Sequence, residues 1–113
     1  MIIANQDVQT KKTGPKTSQK VLVAGEKIMM VEFCFAKGGI GVLHKHDDHE
    51  QIGYVAKGSF EITVGSKTKI AKQGDCYYAA KNVYHGVVAL EDDSVLIDSF
   101  TPLREDFLTT SNK

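Results

Sequence analysis

The sequence predicts an all-β fold, a barrel or a sandwich, that ends in a short helix or turn. Apolar side chains recur with a period of two in several short segments; in 60–64, Phe60, Ile62 and Val64 share one face. Glycine- and aspartate-rich dipeptides, typical of tight turns, separate these segments. Short strands at near-regular spacing with turns between them are typical of sandwiches and barrels. With 113 residues and no internal repeat or linker, we expect one domain over 1–113.

The predicted strands follow one another along the chain. The N-terminal region 1–20 is weakly patterned, and we expect an N-terminal arm or an edge strand there, followed by a strand at 21–23. Apolar side chains alternate again in 31–35, and 95–100 has the length of a strand. The turn signals between strands are Gly38-Gly39, Gly58-Ser59, Gly65-Ser66, Gly74-Asp75 and Asp92-Asp93-Ser94.

Only the C-terminal part of the sequence has a helical pattern. Pro102 lies near the start of the segment 101–108 and acidic residues follow it, which is the order expected where a helix begins. We therefore expect a short helix or turn that packs Leu103 and Phe107 against the barrel.

The charge balance excludes two classes of partner. Lys and Arg number 14, and Asp and Glu number 14, so neither nucleic acid nor an anionic membrane surface is expected to bind. No apolar run approaches the ~18 residues that a membrane span needs, and no signal peptide is recognisable. We therefore expect a cytoplasmic protein in which Cys34 and Cys76 are reduced, buried thiols.

Three of the four histidines form a pattern that indicates a metal site. His44 and His46 are two residues apart in an extended segment, so their imidazoles project from the same face. Gln51 follows with Glu50 beside it, and His85 comes from a distant strand. Nitrogen and oxygen donors suit one divalent transition metal, such as Zn, Ni, Mn, Fe or Cu, better than Ca or Mg. Taken alone, however, a His-x-His pair is more often an ordinary surface pair.

The glycines around these histidines carry a more specific signal. The segment 38–58, GGIGVLHKHDDHEQIGYVAKG, resembles the first cupin motif, G-x5-H-x-H-x(3,4)-E-x6-G, and 74–89 resembles the second, G-x5-P-x-G-x2-H-x3-N. This resemblance implies a cupin, which is a double-stranded β-helix or jelly-roll barrel. The metal ligands that it implies are His44, His46, Gln51 and His85.

The resemblance puts Gln51 in the position of the family's acidic ligand. Glu50 remains the rival ligand, because strand alternation allows only one of these two side chains to point inward, and the register favours Gln51. A neutral amide leaves the metal without an anionic ligand, so we expect a stronger Lewis acid that accepts an anionic oxygen from the substrate. His49 is expected to be an exposed histidine on the loop before this strand.

The second motif departs from the family pattern at three positions. Ala80 replaces the proline, Asn82 the second glycine and Ala89 the final asparagine. Because asparagine tolerates the left-handed backbone that a glycine position often needs, we expect Asn82 to be a workable replacement.

Asp98, Phe100 and Arg104 form a second group of candidates. Asp98 shares a strand face with Leu96 and Phe100, so it is a carboxylate among residues expected to face the core. A buried carboxylate needs a partner or a function. Arg104 is the only arginine in the chain, and its planar fork suits a bidentate contact with a carboxylate. On the residues alone, a structural Asp98–Arg104 ion pair and a role in catalysis or substrate binding are equally open.

The segments 49–65 and 94–107 are similar to the small cupins of pectin and alginate breakdown. Those proteins linearise 4,5-unsaturated uronates into 4-deoxy-5-keto-uronates. In them an Asp, an aromatic residue and an Arg line the pocket beside a His-His-Gln-His metal, at the spacing of Asp98, Phe100 and Arg104. The resemblance implies that Asp98 is a general acid/base, that Arg104 binds the uronate carboxylate and that Phe100 packs on the sugar ring.

Other functions stay open because cupin barrels host several. A cupin dioxygenase or another isomerase would use redox-active Fe, Ni or Cu at the same ligands. A non-catalytic module would bind a sugar acid or only carry the metal, and in each case the expected partner is a small molecule. We also expect a homodimer paired through edge strands, with 1–20 as a candidate for that pairing.

Overall fold

The computed structural model describes residues 1–110, with side chains as far as Leu108. None of the helices in this range is long and apolar enough to cross a membrane. The elements in chain order are a 3-10 helix (Asn5–Asp7), β1 (Lys11–Gly14), β2 (Thr17–Ala24), β3 (Met29–Phe35), β4 (Ile40–His44), β5 (Glu50–Lys57), β6 (Ser59–Val64), β7 (Lys67–Lys72), β8 (Cys76–Ala79), β9 (His85–Ala89), β10 (Ser94–Thr101) and α1 (Glu105–Thr110).

The strands build two sheets that pack against each other. One sheet has six strands in the order β1-β2-β3-β10-β5-β8, and the other has four in the order β4-β9-β6-β7. Every pair is antiparallel, and most neighbours in a sheet are distant in sequence. The chain therefore passes repeatedly from one sheet to the other, as in a jelly roll. The predicted all-β jelly-roll barrel is confirmed.

Strand alternation fills the space between the sheets. Phe60 is fully buried and meets Phe35 edge-on, with ring centroids 5.1 Å apart. Burying an apolar side chain of this size stabilises the fold by roughly 1.5–3 kcal/mol. The core cluster between the sheets consists of Phe35, Val55, Phe60, Ile62, Val87, Ala89 and Leu96.

The C-terminal segment covers a second core cluster, which consists of Met29, Val31 and Phe100. Leu103 and Phe107 pack against this cluster, as predicted. The helix begins at Glu105 rather than near Pro102, because β10 continues to Thr101 and the chain must turn back over the cluster first.

The predicted burial of both cysteines is wrong. Cys76 is exposed and Cys34 is half-buried, and both thiols are unpaired. Strand alternation explains the exposure, because Tyr77 takes the inner face of β8 and leaves Cys76 and Tyr78 outside. Burial and the neighbouring Glu32 carboxylate raise the pKa of the Cys34 thiol.

Residues with positive φ close several of the predicted turns. At Gly58, where φ is 78°, the backbone has a left-handed conformation that disfavours a side chain. A Cβ atom there would also lie 2.2 Å from Ser94 Oγ, so there is no room for one. Asn82 has a φ of 63°, which confirms the left-handed backbone expected there. The remaining glycines with positive φ are Gly38, Gly65 and Gly74.

The N-terminal region forms an edge of the six-stranded sheet. Within the described chain, β1 pairs with β2 alone. The predicted strand at 21–23 is the second half of the longer strand β2, which pairs with β3 on its other side.

Candidate metal centre and active site

A cavity of about 350 Å³ lies between the two sheets and collects all but one of the residues predicted for the site. The predicted residues on its wall are His44, Gln51, His85, Asp98, Phe100 and Arg104. The remaining one, His46, lines an adjoining opening together with His49 and Arg104.

Strand register brings three histidines together. His44, the last residue of β4, pairs directly with His85, the first residue of β9. Their ring centroids are 4.4 Å apart, and the ring of His46 lies 4.7 Å from that of His44. One ligand atom from each of the three lies within 4.8 Å of the others, so this group can hold one metal ion.

Backbone carbonyl groups orient two of these rings. Nδ1 of His44 contacts the carbonyl oxygen of Val42, and Nδ1 of His85 lies 3.1 Å from the carbonyl oxygen of Val83. Since a carbonyl oxygen only accepts, each Nδ1 carries the proton and donates it. In a neutral imidazole with this tautomer, Nε2 carries no proton and is the nitrogen that can bind a metal.

Buried ligand atoms without a hydrogen-bond partner show that these residues fit a cation. Among the described residues, Nε2 of His46, Nε2 of His85 and Oε1 of Gln51 are buried and have no partner. Such atoms are costly, and one divalent metal would satisfy several lone pairs at once. Burial lowers the pKa of His85; burial and then the Arg104 charge lower the pKa of His46 to about 4, so both imidazoles are neutral at pH 7.

Gln51 and its neighbour Glu50 point to opposite sides of β5. Gln51 is 4% exposed, and its Nε2 donates to the Tyr77 hydroxyl at 2.7 Å. The Glu50 carboxylate instead accepts a hydrogen bond of 2.9 Å from the exposed Tyr78. The oxygen donor that reaches the cavity is therefore the amide oxygen of Gln51.

Asp98 is the buried acid of the cavity. It is 5% exposed, and its Oδ1 accepts a hydrogen bond of 2.9 Å from the Tyr77 hydroxyl. Burial raises the pKa of Asp98 to about 7, against the opposing effects of that hydrogen bond and of the Arg104 charge. A carboxyl group with a pKa near neutrality can both release and take up a proton, as a general acid/base must.

A glycine makes room for the Asp98–Tyr77 pair. Gly53 of β5 stands between the two residues in the register of the sheet. A Cβ atom there would lie 1.9 Å from Cε2 of Tyr77 and 2.6 Å from Oδ1 of Asp98. The Tyr77 ring reaches the carboxyl group across β5 only because residue 53 has no side chain.

Arg104 reaches the cavity from the segment after β10. Its guanidinium carbon lies 4.0 Å from the centre of the Phe107 ring and 5.4 Å from that of Phe100, which are cation–π distances. Its Nη2 pairs with Oδ2 of Asp106 at 3.0 Å. Within the described residues it forms no ion pair with Asp98, so the purely structural Asp98–Arg104 pair is not present.

The range 31–100 matches the family model described as a cupin domain. The chain belongs to the cupin family. The matched range runs from within β3 to β10, so it contains every candidate metal ligand of this cupin.

Proteins that carry the name KdgF are similar to this cupin over most of its length. It is 53% identical over 95 residues to the pectin degradation protein KdgF of Dickeya dadantii, covering 84% of this chain and 86% of that protein. The solved structure of KdgF from Halomonas sp. gives a TM-score of 0.92 at 34% identity, covering 95% of this chain and 99% of that one. An RmlC-like cupin from Shewanella frigidimarina gives 0.86 at 32% identity, covering 92% of each chain. The resemblance to cupins of pectin breakdown is confirmed.

His49 lies on the loop before β5, as expected, but the expectation that it is exposed is wrong. Its side chain is 14% exposed, and its ring lies 5.3 Å from that of His46. Its Nε2 is 3.1 Å from the carbonyl oxygen of Leu103. The segment after β10 folds back over the loop, which buries His49 and joins it to the backbone next to Arg104.

Sequence reasoning missed two polar side chains of the cavity wall, those of Tyr77 and Gln19. Alternation in 76–78 places one of the two adjacent tyrosines inside, and a glycine interrupts the inner face of β5 opposite it. These two signals together could have indicated Tyr77. Gln19 is buried on β2, in a region where the weak pattern gives no comparable signal.

Proposed function

We propose that this cupin is a metal-dependent enzyme that opens the ring of 4,5-unsaturated uronates to give 4-deoxy-5-keto-uronates. The observation that carries the proposal is the meeting of a buried acid, Asp98, a guanidinium, Arg104, and the three-histidine group at one cavity and the opening that adjoins it. A sugar acid offers a counterpart to each of them: an exchangeable proton for Asp98, a carboxylate for Arg104 and several oxygen atoms for a metal held by the histidines. The 53% identity with a pectin degradation protein supports this class of substrate.

Ring opening of such a uronate is an isomerisation that needs no second reactant. The C1 hydroxyl loses its proton, the bond between C1 and the ring oxygen breaks, and C1 becomes an aldehyde. The electron pair of the broken bond stays on the ring oxygen, which is bonded to C5, and this gives an enolate. A proton added at C4 then completes the 5-keto product. One proton is removed and one is delivered, so a single acid/base group can serve both steps.

The metal ligands in this proposal are His44, His46, Gln51 and His85. A divalent transition metal, when bound, supplies Lewis-acid stabilisation of negative charge on substrate oxygens. Because Gln51 is neutral, none of the four side chains compensates the charge of the ion, which favours an anionic substrate. Zn, Ni, Mn and Fe all suit such donors, and elemental analysis of the purified protein would identify the ion.

Asp98 carries the proton transfers, and the other residues hold the sugar. The hydrogen bond from Tyr77 fixes the carboxyl group of Asp98 in the cavity wall. Arg104 binds the uronate carboxylate through the parallel hydrogen bonds that its planar fork allows. Phe100 provides an apolar surface for the sugar ring and supports the guanidinium from 5.4 Å.

The test is turnover of 4,5-unsaturated galacturonate by metal-loaded protein, followed as the loss of ultraviolet absorbance from its conjugated double bond. We expect acceleration over the uncatalysed rate that chelation abolishes and metal restores. Asp98→Asn should lower kcat by about 10²–10⁴-fold. Glu61→Gln, the same kind of change at an exposed carboxylate of β6, should leave kcat unchanged. A lack of acceleration with every one of these metals would contradict the proposal.

Two further measurements separate the remaining functions. Oxygen uptake with flavonols or diketones that depends on His85 would favour a dioxygenase. A thermal shift with sugar acids that occurs without turnover and survives Asp98→Asn would favour a non-catalytic binding module.

We further propose a single-domain homodimer that resides in the cytoplasm. β1 and β8 are the edges of the six-stranded sheet, and exposed edges are frequent sites of strand pairing. Unpaired thiols at Cys34 and Cys76 suit a reducing compartment. Light scattering that gives twice the mass of the chain would support the dimer, and the mass of one chain would contradict it.

A further inference from the structure

The hydroxyl group of Tyr77 lies between the candidate ligand Gln51 and the candidate acid Asp98. Nε2 of Gln51 donates to it at 2.7 Å, and it donates to Oδ1 of Asp98 at 2.9 Å. Nε2 of Gln51 also lies 3.5 Å from Oδ2 of Asp98. Side chains from three adjacent strands, β5, β8 and β10, therefore share one hydrogen-bonded network.

The direction of these hydrogen bonds fixes the orientation of the Gln51 amide. When Asp98 is ionised, its Oδ1 can only accept, so the Tyr77 hydroxyl donates its single proton there. A hydroxyl that has donated its proton can only accept from its other neighbour, which must present an NH₂ group. The amide oxygen of Gln51 is then turned away from Tyr77, and Oε1 is buried without a hydrogen-bond partner among the described residues.

We propose that Tyr77 is a positioning residue that selects which atom of Gln51 meets the metal. An amide has one end that binds a cation and one that does not, because the NH₂ group has donors and no acceptor. A glutamate ligand has two oxygens and needs no such selection. The inference rests on the metal site of the proposed function, and it holds whichever substrate that site accepts.

The fold is built around this position of the Tyr77 ring. The ring occupies the gap that Gly53 leaves in β5, where a Cβ atom would lie 1.9 Å from Cε2. The next residue, Tyr78, offers a matched control in the same strand. Its hydroxyl also donates to a carboxylate, that of Glu50 at 2.9 Å, but on the exposed face of the sheet.

The test is the binding of Co²⁺ to metal-stripped protein, titrated by the visible absorption of the bound ion. Tyr77→Phe keeps the ring and should weaken Co²⁺ binding by about 10–100-fold, the usual effect of losing a group that orients a metal ligand. The absorption spectrum should shift as well, because the oxygen donor is no longer held in place. Tyr78→Phe should change neither. Wild-type affinity and spectrum in Tyr77→Phe would overturn the proposal.

A second background, Gln51→Glu, distinguishes an effect of Tyr77 on the orientation of the amide from an effect on general packing. In Gln51→Glu either carboxylate oxygen can bind the metal, so the selection by Tyr77 is no longer needed. Adding Tyr77→Phe to this variant should therefore weaken Co²⁺ binding several-fold less than it does in the wild-type background. An equal loss in both backgrounds would show that Tyr77 acts through packing alone and would overturn the proposal.

The wild-type protein provides a further test in case the Tyr77→Phe variant does not fold, as shown by the lack of a cooperative unfolding transition. In Zn²⁺-loaded, ¹⁵N-labelled protein, the side-chain NH₂ signals of Gln51 can be identified by their absence from Gln51→Glu. They should exchange slowly with water because Tyr77 holds the group, and rapid exchange would overturn the proposal. None of these measurements uses a uronate, so a failure of ring opening is distinguishable from a failure of this inference.

Discussion

Gly53 is the residue on which the placement of the buried acid depends. An alanine there would bring its Cβ to 1.9 Å from the Tyr77 ring and 2.6 Å from the Asp98 carboxyl, so one of these groups must move. We expect Gly53→Ala to lower the free energy of unfolding by about 1–3 kcal/mol, as overpacking of a filled site does. Urea denaturation of the metal-stripped protein would measure the change.

Gly25→Ala is the matched control for this substitution. Its new Cβ would lie 3.5 Å from the nearest atom, an ordinary contact, so its stability should change by less than about 0.5 kcal/mol. If Gly53→Ala were as stable as the control, the Tyr77 ring would have room to move, and its close placement beside Asp98 would not be enforced by packing.

At the residue scale, the sequence predicts candidate site residues better than it predicts the contacts between them. The spacing of His44 and His46 and the position of Asp98 on a core-facing strand are local signals, and each can be read within a few residues. The role of Tyr77 depends on the register of β8 against β5, which places it across Gly53 from Asp98. Alternation in 76–78 can indicate that one of the two tyrosines faces inward, but no local pattern contains the register that brings Tyr77 to Asp98.

At the scale of elements, the strands were predictable because alternation is a local property of an extended chain. The burial of His49 was not, because the carbonyl group that binds it belongs to Leu103, 54 residues further along the chain. The start of α1 was misplaced for a related reason. Pro102 suits a helix start, but the length of β10 and the packing of Leu103 decide where the chain turns.

The segment between β10 and α1 holds Arg104 over the cavity. His49 donates to the carbonyl oxygen of Leu103 at 3.1 Å, and the backbone N–H of Arg104 contacts Sδ of Met29 at 3.2 Å. Loss of the His49 hydrogen bond, worth about 1 kcal/mol, should loosen the guanidinium. We expect His49→Ala to raise KM for the unsaturated uronate about fivefold and to change kcat less. Steady-state kinetics would measure both.

A double variant shows whether His49 acts through Arg104. Arg104→Ala should raise KM more than His49→Ala does, because it removes the group proposed to bind the carboxylate. In the double variant the effect of His49→Ala should disappear, since there is no guanidinium left to position. Additive effects of the two changes would place the influence of His49 elsewhere in the site.

At the scale of the whole molecule, the candidate metal centre joins the two sheets. His44 and His85 come from the four-stranded sheet, and Gln51 comes from the six-stranded sheet. These residues are distant in sequence, so an unfolded chain does not assemble the group. Metal binding should therefore stabilise the folded state, by about 4 kcal/mol when the free metal is 1,000-fold above its Kd.

Calorimetry of metal-loaded and metal-stripped protein would measure this stabilisation and decide which residue of β5 binds the metal. For a domain of this size, we expect the loaded protein to unfold more than about 10 °C higher than the stripped protein. Glu50→Gln should keep the whole difference, because the Glu50 carboxylate is bound to Tyr78 on the outer face. Gln51→Ala should reduce it. Each difference is taken within one variant, so the loss of the Gln51–Tyr77 hydrogen bond affects both measurements and cancels. The reverse pattern would make Glu50 the ligand and would require β5 to shift its register on binding metal.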